Sequence, residues 1–165
     1  PVDFSDRYQK VLDDHKDIIV SINPKWRKIG ENWSSILPQK EDLALLANTV
    51  RHSEMVINLG SSMVFDNAAH GKPCCFINYD SKNLAVGQLT VERIYQYIHF
   101  QSMPSQKAVI WLDSAESISE KIKSTLFDSS ENVAAAKEWF KKINKHPPRE
   151  ASARIWEGFA EILKA

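Results

Sequence analysis

Apolar residues near the start of the chain follow two different patterns. Residues 5–14 mix polar and apolar positions at helical spacing, which predicts a short amphipathic helix with Ser5 as its N-cap. The next run, from Asp17 to Ile22, is rich in β-branched residues and almost continuously apolar, and it ends at Asn23 and Pro24. This pattern predicts a strand that is buried on both faces.

A longer helix is predicted after a loop. Residues 23–40 contain two prolines and Gly30, which predicts irregular structure with a short extended piece at 34–37. Between Lys40 and His52 the apolar residues recur at the i, i+3, i+4 and i+7 positions of one helix face, namely Leu43, Leu46, Ala47 and Val50. This spacing predicts an amphipathic helix over 40–52.

Strands and helices alternate along the rest of the chain. The patterns predict strands at 54–59, 74–78 and 107–112, helices at 64–70, 91–101 and 114–126, and a helical tail at 131–165 that breaks at Pro147 and Pro148. Short apolar strands interleaved with helices indicate an α/β domain with a mostly parallel sheet. We therefore expect a Rossmann-like, three-layer αβα arrangement.

Length, charge and cysteine content narrow the function classes. With 165 residues the chain has the size of one domain. Lys plus Arg equals Asp plus Glu at 21 each, so no net field attracts a polyanion, and nucleic acid is not an expected partner. Cys74 and Cys75 are adjacent in an apolar run, and adjacent strand residues point to opposite faces, which predicts two reduced core thiols.

The hydropathy of the chain and its first residues suggest where in the cell the protein is located. No apolar stretch approaches the roughly 18 residues that span a bilayer, and no signal sequence opens the chain, so we expect a cytoplasmic protein without a transmembrane segment. The chain begins at Pro1 and enters helical patterning almost at once. From this we expect a domain that is truncated at its N-terminus.

The most informative stretch surrounds a Gly-Ser-Ser bend. Gly60, Ser61 and Ser62 follow a predicted strand and lead directly into a helix that starts near Met63. A helix start offers free backbone amides and a partial positive charge, and glycine allows a ligand to approach the backbone closely, so this bend is a candidate anion site. Asp66 lies one helical turn later and could accept hydrogen bonds from a ribose diol.

Each of these residues also has a purely structural interpretation. A serine between a glycine and a helix is commonly an N-cap, and an acidic residue in the first turns of a helix complements the helix dipole. By the local pattern alone, capping and ligand binding are about equally supported.

Residues 43–78 resemble the signature region of the C-terminal domain of GT-B glycosyltransferases and related sugar-nucleotide epimerases. The matching positions are Gly60, Ser61, Ser62, Asp66, Ala68, Ala69, Gly71, Lys72 and Pro73. A weaker resemblance extends over residues 17–126, and Asn23-Pro24 is similar to the strand end of that family. The family has Glu where this chain has Asp66, and this shorter carboxylate is a departure from the pattern.

The resemblance implies that the chain is the donor-binding half of a two-domain enzyme. It implies that Ser61, Ser62 and nearby amides, including that of Met63, hold the diphosphate of a nucleotide sugar, and that Asp66 holds the ribose. The donor is then a substrate, and no cofactor is expected. The acceptor would be held by an N-terminal domain of the same parent protein.

Several other residues are weaker candidates. His99 lies in an aromatic-rich segment, where it either acts on a phosphate or hydroxyl or simply packs among aromatic rings. Lys25 and Trp26 lie in the loop after the first predicted strand, where they could meet a phosphate and a nucleobase or could be structural. The histidines lack Cys or His at metal-ligand spacing, so no metal site is predicted.

Helix 137–145 and the overall pattern leave alternatives open. The lysines of this helix flank Trp139 and Phe140, which suggests contact with a partner domain, or peripheral contact with a membrane surface.

A donor-binding glycosyltransferase domain is the leading hypothesis. The alternatives are a UDP-sugar 2-epimerase-like domain and a noncatalytic GT-B-like module of a polysaccharide assembly complex.

Overall fold

The computed structural model describes residues 5–32, 35–82, 89–145 and 147–164 of an α/β chain. It divides into two compact units, residues 1–49 and residues 50–165. The helices are α1 (Ser5–Asp14), α2 (Lys40–His52), α3 (Met63–Ala69), α4 (Val91–Tyr95), α5 (Ile98–Gln101), α6 (Ile118–Phe127), α7 (Ser130–Asn144) and α8 (Ala151–Ile162). The strands are β1 (Arg27–Lys28), β2 (Ile36–Leu37), β3 (Val56–Asn58), β4 (Cys74–Ile77) and β5 (Ile110–Leu112).

The first unit contains a helix, a short antiparallel hairpin and most of a second helix. Strands β1 and β2 pair with Arg27 opposite Leu37 and Lys28 opposite Ile36. The helices predicted at 5–14 and 40–52 are confirmed with these bounds. The extended piece predicted at 34–37 is confirmed at Ile36–Leu37, whereas Ser34 lies outside the described residues.

The prediction of a strand from Asp17 to Ile22 is wrong. The amides of Ile18 and Ile19 both donate to the carbonyl oxygen of His15, so the chain turns here, and residues 19–26 have no regular structure. Ile18 is 83% and Val20 79% exposed. β-branched residues favour strands because they pack against cross-strand neighbours, and none of the described strands pairs with this run. Asn23 therefore does not end a strand.

The apolar face predicted for α2 is mostly exposed. Leu43 is 60% exposed, and of the four residues on that face only Val50 is buried. Asp42 is buried instead, at 8% exposure. Its carboxylate accepts hydrogen bonds from the amides of Gln39 and Lys25, so it fastens the helix start to the preceding loop. Capping chemistry thus orients the first turn of α2 more strongly than the apolar pattern does.

The second unit is built on a three-stranded sheet with the order β3-β4-β5. Both neighbouring pairs are parallel, with Asn58 opposite Phe76 and Phe76 opposite Trp111. The expected α/β fold with a parallel sheet is confirmed by this topology. Each strand is shorter than predicted, because Gly60 bends the chain after β3 and a 3-10 turn at Gln106–Ala108 precedes β5.

The core of the second unit lies on one face of the sheet, around Phe76. The buried cluster consists of Val64, Cys74, Phe76, Phe100, Ala108, Val109 and Trp139. Both cysteines are free and buried, as predicted. Burial raises the pKa of the Cys74 thiol to about 12, so this side chain stays neutral and acts as a small apolar residue.

The opposite face of the sheet is approached by α6. Cys75 neighbours Phe76 along β4 and therefore points to the other side of the sheet. Burial raises the pKa of the Cys75 thiol, and hydrogen bonding to Thr125 of α6 partly lowers it again. Lys121 of α6 donates to the carbonyl oxygen of Trp111, which ties this helix to β5.

The single helix predicted at 91–101 is two short helices in the structure. The chain is extended at Tyr97, between α4 and α5. The ring of Tyr95 stacks on Phe76 at 5.6 Å, and the ring of Phe100 meets Phe76 edge-on at 5.7 Å. Residues five apart on one continuous helix point about 140° apart, so the break lets both rings reach the same partner.

The helical tail is confirmed, with its break at the two prolines. Helix α7 packs against α3, and the indole of Trp139 is fully buried against Phe65 at 4.8 Å. The aromatic side of α7, which the sequence suggested for a partner or a membrane, is thus used inside the unit. Helix α8 is different, because its Trp156 and Ile162 are exposed.

Candidate functional site

The Gly-Ser-Ser bend lies at the carboxyl end of β3, as the sequence predicts. Gly60 has a positive φ of 56°, a conformation that glycine adopts without strain. A Cβ at this position would lie 2.8 Å from Cγ2 of Ile94 and 3.2 Å from the ring of Tyr95. Gly60 is therefore required by the close packing of α4 as well as by the bend.

Most amides at the start of α3 are bonded within the protein. The Ser61 amide donates to Oδ1 of Asn58 at 3.0 Å, and the Met63 amide donates to Oγ of Ser61 at 3.3 Å. The amides of Val64 and Phe65 donate to the carbonyl oxygens of Ser61 and Ser62. The Ser61 hydroxyl thus accepts from the helix start, which is the capping interpretation of this residue.

Ser62 differs from its neighbours. It is the N-cap residue of α3, and its side chain makes no capping hydrogen bond. Within the described part of the chain, neither its amide nor its hydroxyl has a hydrogen-bond partner. The residue as a whole is exposed. An anion at this bend would therefore be held mainly by Ser62.

Asp66 lies one turn into α3, on its exposed surface. Desolvation raises the pKa of its carboxyl group, and the charge of nearby His70 lowers it in part. His70 is the C-cap residue, with Nδ1 2.9 Å from the carbonyl oxygen of Asp66. The following Gly71 has a φ of 69° and closes the helix, as expected.

His99 lies on α5 and is exposed. Its ring is stacked near Tyr97 at 6.1 Å and lies 4.0 Å from the ring of Phe100. These contacts correspond to the aromatic packing interpretation of this histidine.

The remaining predicted site residues belong to the first unit. Lys25 is held through its backbone, whose amide donates to Asp42. Trp26 lines an apolar cavity of about 520 Å³ together with Val20 and Leu46. Asn23 lies in the irregular segment that leads into this region.

A second group of polar side chains lies at the carboxyl ends of β4 and β5. Asn78 follows β4 and donates from Nδ2 to Oδ1 of Asp113, at 2.9 Å. Lys121 of α6 forms an ion pair with the other oxygen of Asp113. The hydrogen bonds from Asn78 and Lys121 lower the pKa of Asp113, so this carboxyl group stays ionised at neutral pH.

This group lies at one end of a cavity of about 1110 Å³. The cavity extends along the open edge of β5, between Tyr95 of α4 and Lys121 of α6, to Lys107 and Asn132. It is not lined by Gly60, Ser61, Ser62, Met63, Asp66 or His99. This cavity is thus separate from the predicted anion site.

Sequence reasoning missed Asn58, Asn78, Asp113 and Lys121. A signal for three of them is present in the sequence, because each strand of the parallel sheet ends in Asn or is followed directly by Asn or Asp, in VIN, CFIN and WLD. The carboxyl ends of parallel strands share one edge of a sheet, where ligands of α/β domains commonly bind. Lys121 gives no comparable signal, since its role depends on the packing of α6.

The described residues contain no cluster of three or more His, Cys, Asp or Glu side chains that could hold a metal ion. In the same part of the chain, no helix is long and apolar enough to cross a membrane.

Comparison with known proteins finds no matching family model, no similar curated protein and no similar solved structure. The resemblance to GT-B domains therefore depends on the residues of the bend and its flanking elements.

Proposed function

We propose that the chain is the donor-binding domain of a cytoplasmic GT-B glycosyltransferase. In this proposal the parallel sheet belongs to a Rossmann-like αβα domain, and an N-terminal domain of the parent protein holds the acceptor. The ligand is a nucleotide diphosphate sugar, bound at the carboxyl end of β3.

The observation that carries the proposal is that the two hydrogen-bond donors of Ser62, its amide and its hydroxyl, have no partner among the described residues. Ser62 is an exposed residue at the start of α3. A backbone amide and a hydroxyl at a helix start are suitable donors for phosphate oxygens, and the helix dipole favours the negative charge. Ser61 supports this arrangement by capping Met63 instead of contacting the ligand.

Asp66 would bind the ribose of the same ligand. Its carboxylate is exposed one turn beyond Ser62, and an ionised carboxylate accepts two hydrogen bonds from a diol. Catalysis would then be electrostatic, because donors at the bend stabilise the departing diphosphate. The base that activates the acceptor would come from the other domain, so the chain alone binds the donor and does not transfer the sugar.

Calorimetric titration with uridine, guanosine, cytidine and thymidine diphosphates tests this proposal. Ser62→Pro removes both the amide hydrogen and the hydroxyl group of Ser62. The backbone φ of Ser62 is −60°, which suits proline. Ser62→Ala is the matched control, because it removes the hydroxyl and keeps the amide. We expect one diphosphate to bind, and Ser62→Pro to weaken it about tenfold or more, with a smaller loss for Ser62→Ala. The absence of binding by all four, or equal binding by both variants and the wild type, would refute the proposal.

A noncatalytic module with the same fold is the second candidate. It is favoured by the internal hydrogen bonds of the Ser61, Met63, Val64 and Phe65 amides, which leave few donors for a diphosphate. The same titration separates the two candidates, since a module that has lost its donor binds none of the four diphosphates.

A further inference from the structure

The cavity along β5 has the features of a second ligand site. One end is formed by Asn78, Asp113 and Lys121, which hydrogen-bond to one another and so hold fixed orientations. Trp111 and Tyr95 line the same cavity and meet edge-on at 5.0 Å. Small-molecule sites combine such an aromatic wall with a few converging polar groups, and they have volumes of roughly 300–1,000 Å³. The volume of about 1110 Å³ is close to that range.

The polar groups keep unused hydrogen-bonding capacity. Each oxygen of Asp113 accepts one hydrogen bond from the described side chains and can accept another. The Lys121 ammonium has three hydrogens and donates to Trp111 and Asp113, so one hydrogen is left. Donors and acceptors placed side by side in this way match hydroxyl groups, which both donate and accept.

The charge of the cavity argues against an anionic ligand. Its lining contains the carboxylates of Glu92, Asp113 and Asp128 and the ammonium groups of Lys107 and Lys121, a net charge of −1. A diphosphate would meet no excess of positive charge here, and the ammonium group of Lys121 is already paired with Asp113. A neutral ligand fits this balance.

An added β-strand is also disfavoured, although β5 is an edge strand. The carbonyl oxygen of Leu112 accepts from Asn78, so the carbonyl of the preceding Trp111 points away from β4, to the open side. A strand that added here would need that oxygen as an acceptor, to which the Lys121 ammonium already donates.

We infer that this cavity binds a short neutral saccharide, with Asp113 and Lys121 on its hydroxyls and Trp111 and Tyr95 against its apolar face. This site is independent of the proposed donor site at Ser62.

Two-dimensional NMR of the labelled chain tests the inference, with maltotriose, cellotriose and chitotriose as the probes. We expect one of them to shift the amide signals of Asn78, Asp113 and Lys121 and the indole signal of Trp111. Asp113→Asn removes the charge, and we expect it to weaken that binding about tenfold or more, because hydrogen bonds to charged groups are the strong ones. Glu116→Gln, an exposed residue outside the cavity lining, is the matched control and should bind like the wild type.

The wild-type shifts decide the matter even if Asp113→Asn fails to fold. Shifts confined to other surfaces, or none with any probe at millimolar concentration, would overturn the inference. It would equally be overturned if inorganic pyrophosphate, and no saccharide, moved these signals. Failure here leaves nucleotide binding at Ser62 unaffected, so the two proposals are tested separately.

Discussion

Gly60 is the single residue whose replacement has the clearest expected result. In Gly60→Ala the left-handed φ of 56° becomes unfavourable, and the new methyl group would lie 2.8 Å from Ile94. We expect the free energy of unfolding to fall by roughly 2–3 kcal/mol, as measured by urea denaturation.

Gly158→Ala is the control for this experiment. Gly158 lies inside α8, and a Cβ there would meet nothing within 4 Å. This variant should gain about 0.5–1 kcal/mol, because alanine favours the helix. If Gly60→Ala were as stable as the wild type, the described bend and its packing would be incorrect.

At the scale of single residues, the sequence identified residues that shape the backbone better than residues that would bind a ligand. Gly60 and Gly71 were placed correctly, because a positive φ at a strand end or helix end selects glycine. The separate roles of Ser61 and Ser62 could not be predicted, since both are serines at a helix start. Which one caps the helix depends on the rotation of the first turn, and that is set by Asn58.

Among the elements, α7 and α8 offer a direct comparison. Trp139 of α7 is fully buried, and its indole donates to Ser102 at 2.9 Å, whereas Trp156 of α8 is 71% exposed. We expect Trp139→Phe to lower the free energy of unfolding by roughly 2 kcal/mol, through a lost hydrogen bond and a small cavity. Trp156→Phe should stay within about 0.5 kcal/mol of the wild type.

Urea denaturation of both tryptophan variants gives the result. Equal losses in the two variants would mean that α8 also packs by its apolar face. Equal stability of both would show that Trp139 is not part of the core.

Elements were predictable where local and nonlocal forces agree. Helix α3 and strand β4 were found within about a residue of their ends, because glycine, proline and a continuous apolar run act together there. The segment 17–22 has the composition of a strand, yet a strand also needs a paired neighbour, which a local pattern does not reveal. The break in α4–α5 likewise depends on Phe76, a residue far away in the sequence.

For the molecule as a whole, amide hydrogen exchange should be much slower in β4 than in the irregular segment at residues 20–23. Strand β4 is buried and paired on both sides, so its amides should exchange only upon global unfolding. The amides of residues 20–23 make no backbone hydrogen bonds within the described part of the chain and should exchange fast, despite their apolar composition.

Exchange measured by mass spectrometry or NMR checks this expectation, with the α2 amides as a helical control in the same region of sequence. Protection of residues 20–23 at the level of β4 would contradict the structure. It would instead favour the strand that the sequence pattern predicts.

The general architecture followed from the sequence, because alternating apolar runs and helices allow few arrangements other than a parallel sheet. The division into two units did not follow, since no Gly-, Pro- or Ser-rich linker marks the boundary at residue 49, which lies inside α2. The cavity along β5 was also missed, because a concave surface results from the packing of α4 and α6 and leaves no local pattern.

The position of Lys121 has a consequence for the open edge of the sheet. Its ammonium group covers the outward carbonyl of Trp111, which would otherwise be available to a neighbouring molecule. Exposed edge strands are starting points for amyloid-like assembly. A single long side chain on α6 thus hinders another strand from pairing with this edge of the sheet.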